Sequence, residues 1–84
     1  MTYQIEVTDT FGGESNYSWV RRDTIETPAK LGDDAKRIDR YLIRTAKAFA
    51  GWTGMRCTVA NYGDMIEIRP RGICQVCFVT WSEA

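Results

Sequence analysis

One stretch limits what this chain can fold into more than any other: residues 33–52, DDAKRIDRYLIRTAKAFAGW, which is long and periodic enough to demand a helix. At about 100° per residue, Ala35, Ile38, Leu42, Thr45, Ala46 and Phe49 fall on one arc about 100° wide, the stripe that a surface helix buries against a core. Lys36, Arg37, Arg40, Arg44 and Lys47 fall on the opposite arc, of about the same width by the same count. Asp33 and Asp34 sit where the helix dipole favours negative charge, and either can cap the first turn. Gly51 and Gly54 bracket the end, where a left-handed residue closes a helix, and Trp52 can fold back onto the last turn. The pattern predicts a helix over 34–50 that lies on an apolar layer and shows a basic ridge to solvent.

The rest of the chain reads as the strands that supply that layer. Tyr3, Ile5 and Val7 alternate with Gln4, Glu6 and Thr8, the period of a half-buried strand. Residues 9–16, DTFGGESN, are turn-forming in type and read as a hairpin loop. A second strand then runs from Tyr17 to Arg22 and raggedly on to Glu26, with Tyr17 and Trp19 on the apolar face of the first strand. Strict alternation would turn Arg21 inward, a conflict that a bulge over 20–22 would resolve. Thr27-Pro28 ends the strand, because proline has no amide to donate.

Three more strands are expected over 55–60, 65–69 and 73–81, joined by the turn sequences at 61–64 and 70–72 into an antiparallel meander. The last lacks polar alternation, since Ile73, Val76, Cys77, Phe78, Val79 and Trp81 crowd it, so it belongs inside the sheet with both faces covered. The helix can cover one face; Phe11 or Trp52, or another protein chain, would cover the other. Eighty-four residues allow one domain with one modest core. The expected architecture is α+β: ββαβββ, a five-stranded antiparallel sheet with one helix packed on one face.

Chemistry is sparse. The chain has no histidine, which removes the common proton-transfer side chain near neutral pH. Asp9 with Glu14, and Asp64 with Glu67, are the remaining carboxylate pairs, and such loop acids are ordinarily solvated or capping groups. Gly12-Gly13 lacks the strand-loop-helix setting and the lysine of a phosphate loop. Cys74 and Cys77 form a C-x-x-C, but on a strand residues three apart point to opposite faces. With Cys57 the only other cysteine, a tetrahedral zinc site would need a carboxylate or a second chain as its fourth ligand. The expectation is a non-enzyme with buried, reduced cysteines, no metal and no cofactor. No run approaches the roughly 18 apolar residues of a spanning helix, and MTYQIEV lacks the basic-then-apolar form of a signal peptide, so a cytosolic protein with no membrane partner is expected.

The basic ridge is the strongest binding signal. Arg21 and Arg22 add a second basic pair, and together these seven residues are the candidate partner-binding set. A solvated face eased by an Asp33 to Arg37 pair is the plainest account of the ridge. A phosphate backbone would also suit it, yet eleven basic residues balance eleven acidic ones and the pI is near 6.2, unlike the usual nucleic-acid binder. An acidic patch on a protein fits at least as well.

The wording TDTFGGESNYSWVRR, ending at Arg22, together with TGMRC at 53–57 and NYGDMIEIRP at 61–70, resembles small accessory proteins encoded by bacteriophages and mobile elements of proteobacteria. Proteins of that setting include inhibitors of host defence, notably anti-CRISPR proteins, compact and often nonenzymatic, which occupy a surface of the effector complex. The resemblance implies a host protein or ribonucleoprotein complex as partner. A nucleic-acid-binding accessory protein using the same ridge, and a homodimeric assembly protein using the apolar last strand, are the competing readings.

Overall fold

The computed structural model describes residues 1–82. Its elements are β1 (Thr2–Phe11), β2 (Glu14–Glu26), a 3-10 turn at Ala29–Leu31, α1 (Ala35–Ala50), β3 (Cys57–Asn61), β4 (Met65–Pro70) and β5 (Gln75–Ser82). All strand pairs are antiparallel, in the order β2-β1-β5-β4-β3, so the apolar β5 lies at the centre as expected.

Alternation sorts the strands into two faces. Ile5, Val7, Ile25, Ile66, Ile68, Cys77 and Val79 are buried with Ile38, Leu42 and Ala46 of α1 in one core. Ala35, expected on the buried stripe, is exposed at the helix start, and Thr45 and Phe49, expected there too, are half-buried. Asp34 caps α1 by accepting from the Arg37 amide at 3.3 Å. At the other end Gly51 takes φ 82°, Gly51 N donates to the Ala48 carbonyl and Trp52 N to the Lys47 carbonyl, the paired bonds of a Schellman closure. That closure folds Trp52 into the core, 2 % exposed, where its indole donates to Gln75 Oε1 at 3.1 Å. Trp52 therefore covers β5 on the same side as the helix.

The first hairpin departs from expectation. The loop shrinks to Gly12-Gly13, with φ 63° and 86°, a two-residue turn whose two positive φ angles glycine tolerates best. The polar residues around it build a wide bulge instead. The ladder is regular from Thr2 opposite Glu26 to Thr8 opposite Val20, then resumes with Thr10 opposite Ser15, leaving residues 16–19 of β2 against Asp9 alone. Asp9 accepts from the Asn16 side chain and from the Ser18 amide and hydroxyl. Tyr17 sits at φ 55°, and its hydroxyl reaches Glu6 on the face away from α1, not the apolar face. Trp19 is left 39 % exposed.

No bulge occurs over 20–22. Arg21 does face the helix side, opposite Val7, and its edge position resolves the conflict. Its guanidinium lies over the Phe49 ring, 4.9 Å from the centroid, and donates to the Phe49 carbonyl at the end of α1.

The far face of β5 is covered at one end only. Val76 and Thr8 are fully buried there, where Arg69 of β4 reaches the hairpin turn and donates to Gly13 O at 2.7 Å. Phe11, expected as cover, is 81 % exposed. Toward the other end Phe78 is half-buried and Thr80 exposed. Two further boundaries move. Met55 N donates to Trp52 O, so residues 55–56 belong to the turn before β3, and Ile73 and Cys74 are exposed ahead of β5. Consequently Cys74 is not a core thiol, Cys57 is half-buried, and only Cys77 is fully packed.

Candidate partner-binding surface

The candidate surface is the outer side of α1, held in place by the burial of Leu42 and Ala46 beneath it. Lys36, Arg37, Arg40 and Arg44 are exposed along it. Among the described residues the ion pairs are Arg22 with Glu6 and Arg69 with Glu67, so these four cations have no carboxylate within salt-bridge distance there, Asp33 included. Asp39, on the flank of the helix, accepts from Asn61 of β3 and stands apart from the ridge.

Two grooves border the ridge and share Arg40 and Arg44. One, of about 350 Å³, lies against the 3-10 turn and is lined by Pro28, Lys30, Leu31, Arg37 and Tyr41 in addition to the shared pair. The other, of about 380 Å³, runs along the opposite flank between α1 and the turn after it, lined by Ile43, Lys47, Ala48, Thr53 and Gly54 with the shared pair. Lys47 is half-buried and its Nζ donates to the Met55 carbonyl at 2.7 Å. It thus pins the post-helix turn while keeping its charge at the groove edge.

Arg21 and Arg22 do not join this surface. Neighbours on a strand point to opposite faces: Arg21 packs on Phe49, while Arg22 Nε pairs with Glu6 Oε2 at 2.9 Å on the far face. Lys30 and Tyr41 do line the groove against the 3-10 turn, although the helical count alone passes over them. The signal for Lys30 was Pro28 followed by a helical turn, which brings a lysine outside the main helix alongside it.

The titrating groups with shifted affinities all move away from neutrality. The Ser18 and Asn16 hydrogen bonds hold Asp9 down to about 2. The Tyr17 hydroxyl, with Arg22 helping, lowers Glu6, and Glu6 in turn raises Tyr17. Tyr3 is raised by burial and then by Asp39, and burial pushes the Cys77 thiol up to about 12. Each of these groups keeps one charge state through the physiological range. Glu67, half of a carboxylate pair considered above, is occupied by Arg69 at 2.8 Å. Among the described residues no three Cys, Asp or Glu side chains converge as metal ligands would, and no helix is long and apolar enough to cross a membrane. No protein family, curated protein or solved structure matches the chain.

Proposed function

We propose that this protein is a non-catalytic, phage-type binding module that inhibits a host defence system such as a CRISPR effector complex by stoichiometric docking on an acidic surface of it. One observation carries the reading: Arg37, Arg40 and Arg44 stand exposed on one helix, Arg40 and Arg44 line both grooves and Arg37 one of them, and all three lack a carboxylate partner among the described residues. Like charges one turn apart cost helix stability, a cost that an acidic partner turns into affinity and faster association. The resemblance to phage accessory proteins supplies the class of partner.

The test is Arg40→Glu/Arg44→Glu. Cells with a working CRISPR system should lose protection of the invading phage when the variant replaces the parent, and effector complex should no longer be captured on the variant. Equal inhibition by both proteins would overturn the proposal. A nucleic-acid partner is favoured by one feature, Tyr41 beside Lys30, Arg37, Arg40 and Arg44, since an aromatic amid cations can stack a base. Phosphate binding would weaken steeply with added salt whatever the sequence, whereas a packed protein interface weakens less.

A further inference from the structure

Resting on the reading of the ridge as a docking surface, we infer that the groove between α1 and the turn after it takes one apolar side chain of a protein segment whose flanking carboxylates meet Arg40, Arg44 and Lys47. The two grooves bordering the ridge differ in chemistry. The one against the 3-10 turn sets Lys30, Arg37 and Tyr41 beside Pro28 and Leu31, so charged and aromatic groups make up much of its wall. The other is lined by Ile43, the Ala48 methyl group, Thr53 and Gly54, and the cations that line it with them add their aliphatic stems. Its roughly 380 Å³ is at the small end of ligand pockets, room for a single large apolar side chain rather than a folded element.

Three features make the occupant an acidic protein segment. Charge complementarity is the first: three cations edge an apolar floor, so an apolar anchor set between carboxylates would satisfy both, as the buried core and polar edge of a protein interface do. Preorganisation is the second. Lys47 Nζ uses one of its three donors on the Met55 carbonyl, which fixes the ammonium and leaves two donors for a carboxylate. The third is what the groove lacks. No aromatic ring lines it, so a nucleobase would find nothing to stack on, and a phosphate backbone would use the ridge and leave the apolar floor exposed.

A random peptide library displayed on yeast and selected on the immobilised full chain, with the enriched peptides then measured on Ala48→Gln, tests this directly. Ala48 is exposed, and glutamine is a good helix former, so the substitution fills the groove without removing a core contact. Thr53→Glu, which sets a carboxylate at the groove mouth, is the second variant. Both variants should unfold thermally with the parent. Enriched peptides should carry a leucine or aromatic anchor between acidic residues. In fluorescence polarisation, serine in place of the anchor should weaken binding at least about tenfold. Ala48→Gln should weaken the anchored peptide by a similar factor while leaving the serine peptide unaffected, and Arg40→Glu/Arg44→Glu should lose both peptides. Acidic peptides enriched without an anchor, no enrichment at all, or unchanged binding to Ala48→Gln and Thr53→Glu would overturn the groove assignment. So would a single-stranded oligonucleotide of matching charge that outcompetes every selected peptide. If the charge reversal alone fails to matter, the ridge reading falls instead.

Discussion

Under α1 the sheet is sealed by hydrocarbon: Ile5, Val7, Ile68 and Val79 meet Leu42 and Ala46 with almost no exposed surface. On the opposite face the sheet carries Gln4, Glu6, Arg22, Phe78 and Thr80 around a shallow groove open to solvent. The covered face draws its stability from apolar burial, which is non-directional and tolerates many arrangements of similar volume. This second face instead holds the hairpin through directional bonds, those of the buried Thr8 at its covered end among them. Thr8 Oγ1 donates to Trp19 O and accepts from Tyr17 N, Tyr17 and Arg22 both donate to Glu6, and Arg69 joins Glu67 to the Gly13 carbonyl. The contrast teaches that one face keeps the domain folded while the other sets the shape of one hairpin.

The sharpest way to break this comparison is Leu42→Ala, which should cost on the order of 2 to 5 kcal/mol in urea unfolding, because it empties the fully buried centre of the helix interface. A loss under about 1 kcal/mol would mean that the covered face is not the main source of stability.

Thr8→Val comes next, since it keeps the shape and strips the hydroxyl's hydrogen bonds with Trp19, Tyr17 and Asp9. The expected cost is about 1 to 3 kcal/mol, with faster amide exchange at Tyr17 than in β5. Uniform exchange across the sheet would show that the bulge is held by packing instead.

Acid should act on the hairpin selectively. Asp9 is held at about 2 against an ordinary 3.8, so its contribution is present above the unfolded value and is lost as pH falls from about 4 toward about 2. Glu6, also lowered, works in the same direction. Asp9→Asn should flatten part of the decline in the urea midpoint over that window; a parallel decline in parent and variant would remove Asp9 from the account.

The smallest effect is expected on the outer side of the helix. Arg40→Glu/Arg44→Glu should change unfolding free energy by no more than about half a kcal/mol, because exposed charges without partners support no packing. A loss several times larger would make the ridge a structural feature and weaken its claim as a docking surface.

Much of this fold was legible along the chain. The helix from its capping aspartate to Gly51, the centrality of the last strand and the meander before it all follow from periodicity and turn chemistry within a few residues. The ridge of Lys36, Arg37, Arg40 and Arg44 was legible for the same reason, since one face of one helix is a local property. The hairpin was not. Residues 9–16 have the composition of a loop, and only the bonds that Asp9 and Thr8 make across the hairpin turn them into a bulged ladder with Tyr17 at positive φ. The sequence count also grouped Arg21 with Arg22, which the pleat sends to opposite faces, and it missed Lys30, which reaches the ridge from a separate turn.

By itself, then, the sequence determined the elements, their order and which side of the helix would be basic, because these depend on backbone geometry repeated every two or 3.6 residues. The tertiary structure alone decided which cations converge and which are occupied. Lys47 meets Met55 only after the helix end has closed on Gly51, and Arg69 meets Gly13, 56 residues away, only once β4 and the hairpin share one sheet. Such contacts depend on where whole elements come to rest, which no local spacing encodes.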